Sequence, residues 1–274
     1  RILTWTQVYN LTELPEHLIV VGSGVTGAEF ANAYDAIGVP VTLVSSRSTV
    51  LPGEDADAAQ VLQEVFTRRG MNVMNEVRAE AVTRDGDSVT VHLADGRTVT
   101  GSHCLMAVGS IPNTTDIGLP GAGVKLDDRS YIRVDRVSRT TARGVYAAGD
   151  CTGVFQLASV AAMQGRIAVA HSLGDAVAPL SLRRVSSNIF TDPEIATVGV
   201  SQADLDEGRV DARGVMLPLT KNPRAKMQNV QDGFVKLFAK MGSSTIVGAS
   251  AARAPRLPRR GYRARASSTS KCPR

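Results

Sequence analysis

Cysteine is scarce in this 274-residue chain, and its three copies, Cys104, Cys151 and Cys272, never fall into a CxxC or CxxxxC spacing. That pattern excludes a disulfide scaffold and a paired-thiol zinc site, and it places the expected home in a reducing cytoplasm. Long apolar runs are missing too. Nothing approaches the roughly 20 residues that span a bilayer, and Arg1-Ile2-Leu3-Thr4-Trp5 lacks the layout of a secretory leader. A soluble protein is expected. Aromatic residues make up 4% of the chain and do not interleave with basic ones, which removes the usual platform for stacking nucleic-acid bases. The four histidines, His17, His92, His103 and His171, have no matching catalytic neighbour, and no metal site is expected. With 43% hydrophobic residues the chain can still bury a sizeable core, in about one to three domains.

The formal charge of +5 is unevenly placed. Arg253, Arg256, Arg259, Arg260, Arg263, Arg265, Lys271 and Arg274 put +8 into the last stretch with no acid, which leaves the remainder at −3. That Arg/Pro/Ala/Ser stretch has no apolar period and is expected to be a disordered basic tail. A solvated terminus is the reading preferred over an arm for RNA, DNA or anionic lipid, because Tyr262 is its one aromatic residue.

The most informative residues are Ile19-Val20-Val21-Gly22-Ser23-Gly24-Val25-Thr26-Gly27-Ala28-Glu29-Phe30. An apolar strand turning on three glycines into a helix makes a cradle for a dinucleotide pyrophosphate. Gly22 allows the tight turn, Gly24 lets backbone approach the phosphates, and Gly27 lets helix and strand pack closely. Amide donors at the helix start then face the anion.

Around this turn the pattern predicts a buried strand over 18–21, a helix over 25–37 and a second strand over 41–45, an alternating α/β order. The acidic run Glu54-Asp55-Ala56-Asp57 opens a helix to about Arg69 with Gly70 as its stop, and Val61, Leu62, Val65 and Phe66 share one face. Short β segments over 71–74, 77–84, 88–93 and 97–100, with Asp85-Gly86 and Asp95-Gly96 as turns, read as an antiparallel excursion. An apolar strand follows over 103–108. Gly144-Val145-Tyr146-Ala147-Ala148-Gly149-Asp150 reads as another buried strand with an acid at its exit, ahead of a helix over 158–173. Strands over 195–200 and 234–239 belong to a different region.

Two signatures, Val20–Glu29 and Thr141-Ala142-Arg143-Gly144-Val145-Tyr146-Ala147-Ala148-Gly149-Asp150, together resemble the pyridine-nucleotide-disulfide oxidoreductase family of FAD flavoproteins. Leu14-Pro15, Ala107-Val108-Gly109-Ser110-Ile111-Pro112-Asn113 and Phe190-Thr191-Asp192-Pro193-Glu194-Ile195-Ala196-Thr197-Val198-Gly199 extend the likeness over about residues 1–250. The run from Cys151-Thr152-Gly153 to Gln164-Gly165-Arg166 is similar to the branch of lipoamide-dehydrogenase-A-like NAD(P)H:quinone reductases.

The resemblance implies an α/β fold: a doubly wound, Rossmann-like NAD(P) domain with an antiparallel β insert, part of an FAD domain, and a partial α+β interface domain. The implied division is a connection over 1–15, the NAD(P) domain over 16–136, the returning FAD portion over 137–181, a partial dimerisation domain over 182–252, and the tail over 253–274. Members of the family are usually homodimers. Against that plan the chain reads as starting late and ending early, without an ADP cradle ahead of Gly22 or a CxxxxC segment. Beyond about Ser250 the abrupt change to Arg/Pro text reads as a frame slip or an assembly error.

Residue roles follow from the resemblance. Gly22, Ser23, Gly24, Val25, Thr26 and Gly27 would carry the NAD(P) pyrophosphate. Glu29 matches an acid near the nicotinamide, with an exposed helix carboxylate as the plain alternative. Ser45 stands where NAD-preferring proteins commonly have an acid for the ribose hydroxyls. Ser46 and Arg47 leave room for a 2′-phosphate, which a guanidinium can grip in a forked geometry, or Arg47 is a solvated loop residue. Dual use of NADH and NADPH is expected, leaning to NADPH. Gly109 would let its loop approach the nucleotide, or simply serve a turn. Gly149 and Asp150 would meet a ribityl hydroxyl of FAD, with a helix cap as the alternative for Asp150. Ala158 would begin the helix whose amino end favours negative charge on the flavin. Cys151 reads as a small buried residue rather than a redox thiol, and no catalytic side chain is assigned.

The implied function is hydride transfer from NAD(P)H through FAD to a small-molecule acceptor, a quinone. A dihydrolipoamide dehydrogenase or related disulfide reductase is the first alternative. An inactive nucleotide-binding fragment is the second.

Overall fold

A computed structural model describes residues 1–253. Two sheets sandwich a layer of helices. In chain order the first body contains β1 (Ile2–Leu3), α1 (Trp5–Val8), β2 (Leu18–Val21), α2 (Val25–Ala36), β3 (Val41–Val44), α3 (Ala56–Arg68), β4 (Asn72–Met74), β5 (Ala79–Asp85), β6 (Ser88–Leu93), β7 (Thr98–Gly101) and β8 (His103–Met106). Then come α4 (Ala158–Ser172), β9 (Ser186–Ile189), β10 (Glu194–Gly199), α5 (Gln202–Asp206), β11 (Ala212–Pro218), α6 (Pro223–Met227), β12 (Gly233–Lys240) and β13 (Ile246–Arg253).

The first sheet runs β1-β8-β2-β3-β4 and is parallel throughout. Its centre is apolar on both faces because both are covered: every residue of β2 and β3 is buried. One face packs on the helices through Leu18, Val20, Leu43, Leu62 and Phe66. The other face, with Ile19, Val21 and Val44, packs on Val89, Val91 and Leu93 of the antiparallel sheet β5-β6-β7. The insert therefore takes the place a second helical layer would hold in a doubly wound sheet.

Local chemistry accounts for α3. Asp55 caps it by accepting from the amides of Asp57 and Ala58 at 3.1 and 3.3 Å, which satisfies donors that have no partner inside the helix. Gly70, at φ 97°, ends it. Its buried face, Ala58, Ala59, Leu62, Val65 and Phe66, spans both sheets. Removing Phe66 from water contributes about 1.5–3 kcal/mol.

The second sheet runs β11-β12-β13-β10-β9 and is antiparallel. Phe234, Lys236 and Phe238 of β12 point into the molecule and are buried, whereas Val235 and Leu237 are exposed. Val235 lies opposite Leu217 and Leu237 opposite Val215, so one apolar strip faces outward.

Three expectations change. The 71–74 segment is not antiparallel, because β4 extends the parallel sheet beside β3. The predicted strand over Gly144–Asp150 does not form: Tyr146 makes a single bridge to Arg139, and Val145 is 38% exposed. A ladder needs neighbours, and the described residues place no strand beside this one, so its polar groups bond locally instead. The strand β13 also reaches Arg253, the first residue of the expected tail. The disorder expected of that tail otherwise concerns 254–274, outside the described residues. No helix among the described residues is long and apolar enough to cross a membrane.

Between β8 and the short turn at Asp150–Thr152 the chain has neither helix nor strand. Asp side chains organise it. Asp127 accepts from the amides of Arg129 and Tyr131, and Asp135 from those of Val137 and Arg139, each bond 2.9–3.0 Å.

Candidate functional site

Where β2 ends, Gly22 adopts φ 109° and donates its amide to the Val44 carbonyl at 2.9 Å. A side chain there would run into the backbone carbonyl of Ala107, and one at Gly27 into the carbonyl of Gly22. Both glycines are thus required for β2, α2 and β8 to approach. Gly24 is different. It caps α2 at φ −69°, ψ −175°, and a Cβ placed on it would meet nothing within 4 Å. That space lies outside the protein's own packing, in front of the first amides of α2.

The turn borders a cleft of about 810 Å³ lined by Gly22–Thr26, Ser46, Arg47, Arg78 and Gly109, among others. Ser23, Gly24, Val25 and Thr26 therefore share one cleft with Ser46, Arg47 and Gly109. Gly27 lies behind the turn as packing. Ser45, expected beside a ribose, is instead fully buried. Its hydroxyl sits 2.7 Å from that of Ser23 and accepts from the Arg47 amide at 3.1 Å, so it fastens the glycine turn to the loop after β3. Arg78 was not singled out from the sequence. It precedes β5 without any motif, and only the fold brings it to the cleft that Arg47 lines.

A second cleft, about 670 Å³, adjoins the first and shares Trp5, Val25, Thr26, Ser110 and Gln156 with it. Glu29 and Asp150, far apart in the chain, both line it. Glu29 is half-buried, and its Oε1 accepts from the Phe190 amide at 2.8 Å, a bond reaching into the second sheet's domain. Asp150 is exposed, because the strand expected to bury it is absent. Glu54 and Asp127 add further carboxylates to the lining. Burial, with Asp55 next in the chain, pushes the Glu54 carboxyl up.

Gly149 does not line either cleft; it holds Asp150 in place. At φ 89° it donates to Gln164 Oε1 at 2.8 Å, and its carbonyl accepts from the Thr152 hydroxyl at 2.7 Å. Gln164 is 1% exposed and also reaches Thr152. The one sequence signal for this buried amide was a polar residue on the apolar face of the 158–173 helix. Ala158 starts α4 as expected, and Gln156 and Leu157 just before it line the second cleft. Burial raises the pKa of Cys151, and its thiol donates to the Ala148 carbonyl at 3.4 Å.

The family model described as pyridine nucleotide-disulphide oxidoreductase matches residues 1–165, and the model for the dimerisation domain of the same family matches residues 185–254. The chain belongs to this family. It is 58% identical over 248 residues to an NAD(P)H dehydrogenase (quinone) of Mycobacterium tuberculosis, covering 90% of this chain and 50% of that protein. It is 31% identical over 252 residues to a dihydrolipoyl dehydrogenase of Geobacillus stearothermophilus, covering 91% and 53%. The crystal structure of LpdA from Mycobacterium tuberculosis superposes with a TM-score of 0.87 at 56% identity, over 92% of this chain and 55% of that one. The HOCl-induced flavoprotein disulfide reductase RclA from Escherichia coli gives 0.83 at 29% identity, over 91% and 57%. The chain spans about half the length of the curated relatives it matches.

Proposed function

We propose that the chain carries the NAD(P)H site and part of the FAD site of an oxidoreductase that reduces a quinone. The open space at Gly24, in front of the first amides of α2, carries the nucleotide half of this reading. Phosphate oxygens can approach there without meeting protein, and the amino end of a helix favours their charge. Gly22, Ser23, Gly24, Val25 and Thr26 hold the pyrophosphate, and Arg47 with Arg78 pairs a 2′-phosphate, which favours NADPH. Gly109 lets its loop close on the same ligand.

In the second cleft, Glu29 is held by Phe190 and orients the nicotinamide end, while Asp150 accepts from a ribityl hydroxyl. The amino end of α4 favours negative charge on the flavin's pyrimidine side. A flavin bound there would supply acceptance of a hydride from the reduced nicotinamide and delivery of two electrons to the acceptor. The residues of this chain bind, orient and exclude water around that exchange. The 58% identity to a quinone-reducing dehydrogenase, against 31% to a dihydrolipoyl dehydrogenase, favours a quinone over a disulfide acceptor. The outward apolar strip of Val215, Leu217, Val235 and Leu237, together with the dimerisation-domain match, supports a homodimer.

Nucleotide binding without turnover is the second reading, favoured by the half-length coverage of the relatives. Purified protein separates the two. Yellow colour with stoichiometric FAD and NADPH-driven quinone reduction supports the enzyme. A colourless protein that still binds NADPH supports the second reading, and turnover of dihydrolipoamide with no quinone reduction would reverse the choice of acceptor.

A further inference from the structure

The nucleotide cleft is braced from the other sheet by a buried ion pair. Lys236 of β12 directs its ammonium at Asp55, with Nζ 3.1 and 2.9 Å from the two carboxylate oxygens, and it also pairs with Asp57. The Lys236 and Asp55 side chains are 5% and 3% exposed. The rings of Phe234 and Phe238 flank the ammonium at 5.6 and 5.9 Å, a placement that favours a cation. Asp55 is at the same time the cap of α3. Its carboxylate therefore ties the first turn of α3 to β12.

From that cap a short run of bonds leads to the glycine turn. The Glu54 amide donates to the Leu51 carbonyl at 3.1 Å, and the Leu51 amide donates to the Ser23 carbonyl at 2.8 Å. The Val50 amide donates to Gln63 of α3 at 3.1 Å, so the loop before α3 is fastened to the helix by a side chain as well as by the chain itself. Pro52, within this loop, lines the nucleotide cleft. Ser23 in turn shares a hydrogen bond with Ser45, which positions the loop carrying Arg47. Val50 and Leu51 are at most 1% exposed, and that packing leaves the loop little room to move independently of α3.

We propose that Lys236 is a positioning residue for the nucleotide cleft, holding the Asp55 cap, and through the 50–54 loop the Ser23 carbonyl, in the geometry that nucleotide phosphates need. A cation does here what an apolar residue would not. Adhesion between the sheets needs only buried area, whereas fixing a capping carboxylate needs a partner for its charge. Arg68 with Asp232 and Arg69 with Asp192 tie the opposite end of α3, about three turns from the Asp55 cap, to the same domain. Coupling carried by a contiguous network of this kind changes affinity by roughly two- to thirtyfold when it is cut.

This inference rests on the nucleotide reading of the cleft. Its test is calorimetric titration of NADPH into the full chain, well below the melting temperature, for wild type, K236M and D232N. K236M is expected to bind roughly two- to thirtyfold more weakly, and D232N, which cuts the tie at the other end of α3, as wild type does. Equal affinities for K236M and wild type overturn the inference alone. No binding by wild type removes the reading of the cleft and the inference with it. Should K236M not fold, hydrogen exchange on wild type decides: because coupling is reciprocal, NADPH should slow exchange at the Asp57 and Ala58 amides, and unchanged rates overturn the proposal.

Discussion

Adding one methyl group at either of two neighbouring glycines should separate what the glycine turn does for the fold from what it does for a ligand. Gly24→Ala is compatible with the backbone, since φ −69° and ψ −175° suit any residue and the new Cβ meets nothing within 4 Å. Alanine is a poorer cap than glycine, but it lowers the entropy of the unfolded chain by a similar amount. Stability should stay within about 0.5 kcal/mol of wild type. The same methyl stands where the phosphates would lie, so NADPH affinity should fall at least about tenfold, or 1.4 kcal/mol. Gly27→Ala reverses the balance. Helix propensity alone would stabilise by about 1 kcal/mol, but the methyl collides with the Gly22 carbonyl and lies 3.4 Å from Ala107 Cβ. Backbone atoms cannot rotate away. Overpacking costs about 1–3 kcal/mol, and a collision with backbone belongs at or above the top of that range, so the net loss should be near about 2 kcal/mol, a melting temperature lower by about 4–8 °C. Calorimetric melting and NADPH titration of both variants check this. Wild-type affinity in Gly24→Ala, or a Gly27→Ala protein that melts no lower than wild type, would refute the reasoning.

Arg47→Ala should raise the dissociation constant for NADPH by about tenfold more than that for NADH, the worth of a charge-assisted hydrogen bond; equal changes would remove Arg47 from a phosphate site. Burial pushes the Cys104 thiol up to about 12, so at pH 8 it should resist Ellman's reagent until denaturant is added. A Cys104→Ala protein that loses one reactive thiol in its native state would contradict that burial. Burial alone would lower the pKa of Lys236, but hydrogen bonds and charges from Asp55 and Asp57 outweigh it and leave it raised. The resulting stability is fully present below the ordinary lysine value of about 10.4, and it is lost as pH rises through the folded value. Urea midpoints measured from pH 9 upward should therefore fall more steeply in wild type than in Lys236→Met, and parallel curves would exclude the contribution.

Features decided within a few residues were legible in the sequence. The glycine turn, the Asp55 start and Gly70 stop of α3, and the hairpins at Gly86 and Gly96 each follow from local sterics or local hydrogen bonds. Features that depend on a distant neighbour were not. The apolar run Gly144–Asp150 has the composition of a strand but no adjacent strand among the described residues, whereas Ile246–Arg253, full of small residues, becomes one between β10 and β12. Lys236 looks like any outward lysine of an alternating strand until α3 is packed against it. Arg78 and Gln164 likewise acquire meaning only when the chain folds back and brings a cleft or a buried turn to them.

The stretch over 107–149 has a consequence for how the protein meets acid. Burial pushes the Asp135 carboxyl up, but Arg139 and the amides of Arg139 and Val137 outweigh this and leave it below the ordinary range. Its support is present above the ordinary carboxylate value and fades as pH drops through the folded one. Within each sheet the strands are held by apolar burial and backbone ladders, which protons do not touch, whereas this stretch relies on carboxylate acceptors, so acidification should loosen it before the sheets themselves. It supplies Val108, Gly109 and Ser110 to one cleft and Asp127, Arg129 and Tyr131 to the other. Acid taken below the ordinary carboxylate value of about 3.9 should consequently weaken ligand capture before circular dichroism reports loss of the sheets.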